Sequence, residues 1–308
     1  MADRSSFLRR AAAISGGLVA SGMITGAYAV GIERNLFTLR RFEVAVLPRG
    51  ADPVRVLQLA DLHVTPQQRR KVEWVRSLVD LEPDLVVSTG DHIGGNEDAF
   101  ANSLRAHEPF LDFPGAFVWG NNDYWAPIPK SPTHYFTETT SRKRGRRVDL
   151  AELHDGLTRG GWLDLNTRRG PLEVGGRRIA LAGVDAPHPK RARYAEIAGP
   201  ADPDALVRIG LTHSPEPRVL NRFVADGYDL VLAGHTHGGQ VRVPLYGAVV
   251  TNCGIDRRKV RWVSRWGAPS GRSIPLHVSA GLGTSPYAPI RFACRPEATL
   301  LTLTARAG

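Results

Sequence analysis

The stretch LAGHTHGGQV, from Leu232 to Val241, places two histidines one residue apart, directly after an apolar run and beside glycines. His235 and His237 flank a single threonine, so their imidazoles can point in different directions from one turn. A lone His-x-His pair is usually no more than two hydrogen-bonded loop residues. The stretch therefore indicates a functional site only if other parts of the chain supply partners for these imidazoles.

Short apolar runs that end in polar residues or glycine recur along the chain from about Phe42 onward. They are typical of strands buried in a layered α/β fold, and the segments between them include helical spacing, as in residues 67–80. The six runs are VRVLQLA (54–60), DLVVSTG (84–90), AFVWG (116–120), RIALAG (178–183), VRIGLTH (207–213) and DLVLAG (229–234). Because ligands bind at the carboxyl ends of strands in such folds, the residues after these runs are candidates for binding and catalysis.

Polar side chains follow five of the predicted strands. Each set has an ordinary explanation when taken alone, since Asp often caps a helix and Gly-Asp and Gly-Asn are turn dipeptides. The sets are Asp61-Leu62-His63, Gly90-Asp91, Gly120-Asn121-Asn122-Asp123, Thr212-His213 and Gly234-His235-Thr236-His237. Their recurrence at successive strand ends indicates one shared site.

This ordered pattern resembles that of the calcineurin-like metallophosphoesterases, whose motifs read Asp-x-His, Gly-Asp, Gly-Asn-His-Asp/Glu, His and Gly-His-x-His. The resemblance spans residues 54–241. It implies a four-layer α/β/β/α sandwich, here preceded by an N-terminal hydrophobic helix, and two divalent metal ions. Carried over position by position, it implies seven ligands: Asp61, His63 and His237 for one metal, Asn121, His213 and His235 for the other, and Asp91 as the bridge.

The donor set itself suits a phosphate ester. Four neutral imidazoles, one amide and two carboxylates leave two divalent ions with a residual positive charge. Mixed nitrogen and oxygen ligation favours manganese, with iron or zinc as alternatives, over calcium or magnesium. Two metals about 4 Å apart can activate a bridging hydroxide and stabilise the entering and leaving oxygens of an in-line displacement. We therefore expect a dinuclear-metal-dependent phosphodiesterase or phosphomonoesterase.

Asn122 departs from the family pattern. It stands where the family usually has the histidine that contacts phosphate and is thought to protonate the leaving group. Asparagine can bind a phosphoryl oxygen but cannot deliver a proton at neutral pH. Either the substrate has a good leaving group, or His92, next to the bridging Asp91, partly substitutes as a catalytic residue; the alternative is that His92 is a plain loop residue.

A second, less specific resemblance extends towards the C-terminus. GVDAP (183–187) and SAGLGTSPYAPIRFACRPEATLLTL (279–303) are similar to a bacterial membrane-associated or exported branch of the family. This resemblance implies one catalytic domain over residues 42–306. The position of Arg291 in the pattern makes it a candidate phosphate contact, with a structural salt bridge as the alternative.

Residues 1–35 differ from the rest of the chain. Arg9 and Arg10 precede an uncharged stretch, residues 11–32, which reaches the roughly 20 residues that cross a bilayer. Ala27-Tyr28-Ala29 fits a small-x-small cleavage site, so the segment is predicted to be a signal anchor or a cleaved signal peptide, with the anchor favoured. A buried helix of the catalytic domain is the third possibility. We expect the protein at the cell membrane with its catalytic domain outside the cytoplasm, or exported after cleavage.

The charge balance favours anionic partners. Forty Lys and Arg residues stand against 30 Asp and Glu, a formal net charge of +10. RKRGRR (142–147) and DRRKVRWVSRWGAPSGR (256–272) are either solvated faces or a rim that attracts anionic lipid, with Trp262 and Trp266 at the membrane interface.

Three functions therefore stay open. The first is hydrolysis of a cell-envelope or lipid-linked phosphate ester. The second is a nuclease, although no nucleic-acid module is evident and no specific nucleic acid partner is expected. The third is a catalytically silent metal- or phosphate-binding protein, which Asn122 favours.

Overall fold

The computed structural model describes residues 2–128, 145–186, 192–284 and 287–307 of the chain. Helix α1 (Ala2–Ala27) opens the chain and continues into a π-helical turn (Tyr28–Ile32) and a 3₁₀ turn (Glu33–Asn35). The other helices are α2 (Arg69–Arg76), α3 (Phe100–His107), α4 (Asn121–Tyr124), α5 (Ala151–Thr158) and α6 (Pro217–Ala225).

The first of two six-stranded sheets has the order β1-β14-β2-β3-β4-β5. Its strands are β1 (Thr38–Leu47), β2 (Val54–Leu59), β3 (Leu85–Ser88), β4 (Gly115–Phe117), β5 (Leu163–Asp164) and β14 (Glu297–Ala305). Strands β2 to β5 run parallel to one another, whereas β14 is antiparallel to β2. The carboxyl ends of the parallel strands therefore meet at one edge of this sheet.

The second sheet has the order β12-β13-β9-β8-β7-β6. Its strands are β6 (Arg168–Val174), β7 (Arg177–Val184), β8 (Val207–Thr212), β9 (Leu230–Ala233), β12 (Trp262–Gly267) and β13 (Ser273–Val278). Its four central strands are parallel and both edge strands are antiparallel to their neighbours. A small hairpin, β10 (Arg242–Val243) with β11 (Gly247–Ala248), follows β9.

Three apolar clusters divide the layers. Strand β2 shows the principle, because Val54 and Val56 pack between the two sheets while Leu57 and Leu59 face the helices on the other side. Successive side chains of a strand point to opposite faces, so a strand buried on both faces must be apolar throughout. Helices α2 and α3 cover the first sheet and α6 covers the second. The predicted four-layer α/β/β/α sandwich is confirmed.

Helix α1 lies outside these layers. Leu18 and Ile24 are 70% and 71% exposed, which contradicts the alternative of a buried domain helix. Residues Ile14–Asn35 are long and apolar enough to cross a membrane, judged by length and composition alone.

The segment after α1 packs into the body formed by the two sheets. Ala29 is 1% exposed and its carbonyl accepts the Arg291 N–H at 3.2 Å. The buried Glu33 carboxylate accepts the N–H groups of Ala293 (3.1 Å) and Cys294 (2.7 Å). The helix is therefore joined to the body by packing as well as by the chain, and the division into residues 1–35 and 42–306 stays a prediction.

Candidate metal centre

The predicted ligands stand at the carboxyl ends of strands from both sheets. Asp61 and His63 follow β2, Asp91 follows β3, and Asn121 opens α4 after β4. On the second sheet, His213 follows β8, and His235 and His237 follow β9. The parallel strands of the two sheets end at the same edge of the sandwich. Residues far apart in sequence therefore become neighbours there.

These side chains form two clusters that share one carboxylate. Ligand atoms of the first cluster all lie within 4.8 Å of one another, and so do those of the second. The first cluster is Asp61, His63, Asp91 and His237, and the second is Asp91, His213 and His235. Asp91 thus occupies the shared position that the sequence pattern implied for the bridge.

Two ring nitrogens and a carboxylate converge on one point. His63 Nε2 lies 3.3 Å from His237 Nε2 and 3.2 Å from Asp91 Oδ2. Imidazole nitrogens and carboxylate oxygens gathered in this way are the ligands that divalent transition metals prefer. The Nδ1 atoms of two of the rings face backbone carbonyls. His213 Nδ1 lies 2.8 Å from Thr89 O, and His237 Nδ1 lies 3.2 Å from Gly283 O. This orientation directs Nε2 of both rings into the site.

Asn121 supplies an independent indication of a cation. Its Oδ1 atom is buried, and no hydrogen-bond donor reaches it in the described part of the chain. A buried acceptor without a partner costs about 1–3 kcal/mol, a cost that a coordinated cation removes. The unpartnered amide oxygen therefore fits the ligand role that the family resemblance implied.

The backbone at the site is unusual. Five of the seven predicted ligands have a positive φ: Asp61 (48°), His63 (41°), Asp91 (54°), His235 (70°) and His237 (49°). Each such residue without glycine's freedom costs roughly 1–2 kcal/mol, and strain of this kind concentrates at functional sites. A Cβ atom at Gly120 or Gly234 would collide with the carboxylates of Asp91 and Asp61, so glycine is required where the strands end.

Burial and mutual proximity shift the titration of the cluster. Burial raises the pKa of Asp61 to about 6, although His213 opposes the shift. Burial also lowers the pKa of His237 well below its ordinary value, and the neighbouring His63 lowers it further. His237 is therefore neutral, the form in which imidazole binds metal. For Asp91, burial acts upward, but His213 and His63 outweigh it and hold the pKa well below the usual range.

Asp123 is the structural residue that sequence reasoning left without a role. Its carboxylate accepts the N–H groups of Asp91 (2.9 Å), His92 (2.7 Å) and Gly120 (2.8 Å), and contacts His92 Nδ1 at 3.0 Å. It thereby fixes the turn that carries Asp91 to the turn that carries Asn121. The fourth position of the Gly-Asn-Asn-Asp motif was the only signal of this role.

We expect Asp123→Asn to lower the free energy of unfolding by about 3 kcal/mol, because several buried N–H groups lose a charged acceptor. Denaturant unfolding of the chelated chain in detergent measures the change. Asp112→Asn, at an exposed carboxylate, is the matched control and should leave the midpoint unchanged. Equal stability of the two variants would contradict the role of Asp123.

The position of His92 argues against the role of proton donor that the sequence suggested for it. The ring is fully buried. Its Nδ1 is 3.0 Å from Asp123 Oδ2 and its Nε2 is 2.8 Å from Ser88 Oγ, so both nitrogens are engaged inside the protein. Adjacency to Asp91 in sequence was misleading because the positive φ at Asp91 turns the next side chain under the site.

Asn122 does lie at the centre. Its backbone N–H donates to Asp91 Oδ1 at 2.8 Å and its Nδ2 donates to Asp91 Oδ2 at 2.7 Å. The side chain is partly exposed, so its amide stands between the shared carboxylate and solvent. It is placed to donate to an oxygen of a bound ester, and it carries no transferable proton.

The structure argues against both sequence expectations for Arg291, a phosphate contact and a carboxylate salt bridge, because in the described part of the chain it is buried and donates to backbone carbonyls. Its side chain is fully buried, and the guanidinium donates to the carbonyls of Ala280 (2.7 Å), Gly281 (2.9 Å) and Gly283 (2.6 Å), and to that of Cys294 (3.2 Å). Gly283 O is also the atom that orients His237. Arg291 is thus a positioning residue for the loop against which His237 rests.

We expect Arg291→Lys to weaken Mn²⁺ binding about 10–100-fold. A lysine ammonium cannot donate to all the loop carbonyls that the planar guanidinium binds, so the loop becomes mobile and no longer orients the His237 ring. Calorimetric titration of the metal-free chain measures this affinity. Arg295→Lys, four residues along at an exposed position, is the matched control. Unchanged metal affinity together with lowered stability would reduce Arg291 to a purely structural residue.

Parts of three stretches that the sequence analysis named lie outside the described residues, at positions 142–144, 187 and 285–286.

The two tryptophans of the basic stretch 256–272 pack against the protein. Trp262 and Trp266 are only partly exposed, and their indole N–H groups donate to Glu297 (3.2 Å) and Asn221 (2.9 Å). This packing argues against the expectation that these two indoles lie in a membrane interface.

Known proteins match this chain over most of its length. Residues 54–239 match the sequence model of the calcineurin-like phosphoesterases. The chain is 27% identical to the phosphodiesterase YaeI of Escherichia coli, over 88% of this chain and 90% of that protein. It is 24% identical to the UDP-2,3-diacylglucosamine pyrophosphatase LpxG of Chlamydia muridarum, over 92% and 94% of the two chains. A solved dimetal phosphatase from Danio rerio aligns over 75% of this chain and 88% of its own, with 13% identity and a TM-score of 0.40.

Proposed function

The chain belongs to the calcineurin-like phosphoesterase family, a family of dimetal hydrolases of phosphoric esters, and from this premise we propose that it is a membrane-anchored phosphodiesterase. We propose further that its substrate is a lipid-linked or other cell-envelope phosphate. A phosphomonoesterase is the neighbouring alternative within the same chemistry.

The observation that carries the proposal is the pair of buried clusters that share Asp91. Asp61, His63 and His237 would hold one ion, and His213, His235 and the unpartnered oxygen of Asn121 would hold the other. Bound there, two divalent ions supply Lewis-acid stabilisation of the phosphoryl oxygens. The mixed imidazole and oxygen set supports manganese, with iron or zinc as alternatives.

The chain's own residues position the ester. The Asn122 amide donates to a phosphoryl oxygen, and the loop held by Arg291 keeps His237 in place. In the described part of the chain, neither His92 nor Arg291 offers a proton to the leaving group, because both are engaged inside the protein. The proposed substrate therefore has a leaving group that departs without strong proton assistance, such as an aryl alcohol or a second phosphate.

The N-terminal segment supports a membrane location. Residues Ile14–Asn35 fit a bilayer span by length and composition, and α1 is exposed along its described side chains. The relative named as a UDP-2,3-diacylglucosamine pyrophosphatase supports a lipid-linked diphosphate as the class of substrate. We propose that the helix is retained as an anchor and that the catalytic domain lies outside the cytoplasm.

The deciding experiment is hydrolysis of bis(p-nitrophenyl) phosphate by the full chain in detergent, with Mn²⁺ and after chelation. Turnover that requires the metal supports the phosphodiesterase, and the ratio to p-nitrophenyl phosphate assigns diester or monoester preference. Two bound metals per chain without turnover of either ester would contradict the proposal and favour the catalytically silent binding protein.

A further inference from the structure

The hairpin of β10 and β11, residues 241–249, carries an unusual set of exposed apolar side chains. We call it the apolar hairpin. Val243, Leu245, Tyr246 and Val249 are 46%, 110%, 55% and 39% exposed. Single exposed apolar residues are ordinary on a protein surface, whereas several on one short hairpin indicate a surface that meets another apolar phase.

The tip of the apolar hairpin has residue types that are unusual for a solvent-exposed turn. Pro244-Leu245-Tyr246 forms the turn, and Leu245 adopts a φ of 66°. Turns in solvent place glycine, asparagine or aspartate at such positions, because they tolerate the left-handed region and bind water. A leucine held there is costly in water, and burial of its side chain in an apolar phase offsets part of that cost.

The base of the apolar hairpin is one backbone segment away from the end of the candidate membrane span. Arg291 N–H donates to Ala29 O at 3.2 Å, Phe292 N–H donates to Gln240 O at 3.0 Å, and Arg242 N–H donates to Phe292 O at 2.9 Å. Segments joined by such bonds lie roughly 4.8 Å apart, so the two outer ones are about 10 Å from each other. A bilayer that holds α1 therefore reaches the hairpin's base.

The charges around the tip suit an anionic surface. The Arg257 guanidinium lies 4.1 Å from the centre of the Tyr246 ring, and Arg257 and Arg258 are both exposed. With Arg242, Lys259 and Arg261, residues 242–261 contain five cations. Cations beside aliphatic and tyrosine side chains are the composition of segments that lie at a lipid headgroup layer.

We propose that the apolar hairpin is a second membrane contact, which enters the headgroup and upper acyl region of an anionic bilayer already held by the N-terminal helix. His237 is four residues from Val241, and a chain of that length spans at most about 14 Å. Two contacts on either side of the segment around Arg291 therefore hold the metal centre beside the lipid headgroups. The membrane contact rests on the membrane anchoring proposed above, and only this last step rests on the proposed hydrolysis of a lipid-linked ester.

The test uses the full chain reconstituted in vesicles of phosphatidylglycerol and phosphatidylcholine. An environment-sensitive fluorophore is attached to Leu245→Cys and, as a matched control, to Glu173→Cys on the far edge strand β6, which is also exposed. The unsubstituted chain serves as the labelling blank, since burial raises the pKa of Cys253 to about 12 and Cys294 is buried. Quenching by lipid-borne nitroxides is then compared with quenching by aqueous iodide.

We expect lipid nitroxides to quench the label at position 245 several-fold more than the label at position 173, and iodide to show the reverse order. Nitroxides placed near the headgroups should quench more strongly than those near the bilayer centre, because interfacial segments penetrate only about 5–10 Å. Equal quenching at the two positions, or protection from iodide without lipid quenching as in contact with a second protein, would overturn the proposal. Neither readout depends on hydrolysis, so failure of the enzyme proposal is scored separately.

Discussion

An Asp91→Ala chain is expected to lose bound metal and at least about 10³-fold of its phosphodiesterase activity. Asp91 belongs to both clusters, so its removal takes one ligand from each ion at once. It also removes a carboxylate that contacts both His63 and His213, which lie 3.2 Å and 3.5 Å from its Oδ2. Loss of the metals removes several kcal/mol of transition-state stabilisation, and about 1.36 kcal/mol corresponds to a tenfold change in rate.

Metal content by mass spectrometry and turnover of bis(p-nitrophenyl) phosphate check this result together. Asp229→Asn is the matched control, because Asp229 is also buried but binds Arg208 and Arg306 away from the centre. That variant should lose stability while keeping its metals. An Asp91→Ala chain that retained both metals, or that lost no more activity than Asp229→Asn, would rule out the shared position of Asp91.

Asn122→His is expected to raise hydrolysis of esters with poor leaving groups about 10²-fold or more, while activity towards p-nitrophenyl esters changes little. General acid catalysis contributes about 10²–10⁴-fold when the leaving group needs a proton, and little when it does not. Asn122 is the side chain that touches Asp91 from the solvent side, so an imidazole at this position reaches the place where a leaving group departs.

The measurement is a series of aryl and alkyl phosphodiesters ranked by the pKa of their leaving groups. The slope of rate against leaving-group pKa should flatten in Asn122→His and should stay steep in the parent and in Asn122→Ala, the control for loss of the amide. If the histidine variant keeps the parent slope, Asn122 is not the position that governs protonation. The same series with His92→Gln should leave the slope unaltered, since His92 faces Asp123 and Ser88.

Much of the fold could be predicted from the apolar runs, and the reason is burial on both faces. All six runs overlap a strand, because central strands packed between two layers are continuously apolar. The edge strands could not be predicted in this way, because they are not buried on both faces. Strand β12 (Trp262–Gly267), with half-buried and exposed residues in alternation, is interrupted by Ser264 and Arg265 and gives no continuous apolar signal. Pairing between β1 and β14 joins residues more than 250 positions apart, which no local pattern encodes.

The site divides in the same way. Residues at strand ends, such as Asp61 and His235, could be predicted because the strand places them and the side chain faces the cleft. His92 and Arg291 could not, since their roles depend on turns whose backbone carries the side chain away from the cleft. Asp123 acts through backbone N–H groups of the turn that follows β3, and the sequence does not show which acceptors those groups find.

The packing of Ala29 bears on the order of events in biosynthesis. Its motif, Ala27-Tyr28-Ala29, suits a leader peptidase, but in the folded chain residues 28–32 are helical, Ala29 is 1% exposed and its carbonyl is bonded to Arg291. Proteases cleave backbone that is accessible and free to extend. A leader peptidase that cut after Ala29 would therefore have to act before this junction folds. A chain that folds first would keep its N-terminal helix, in line with the proposed anchor.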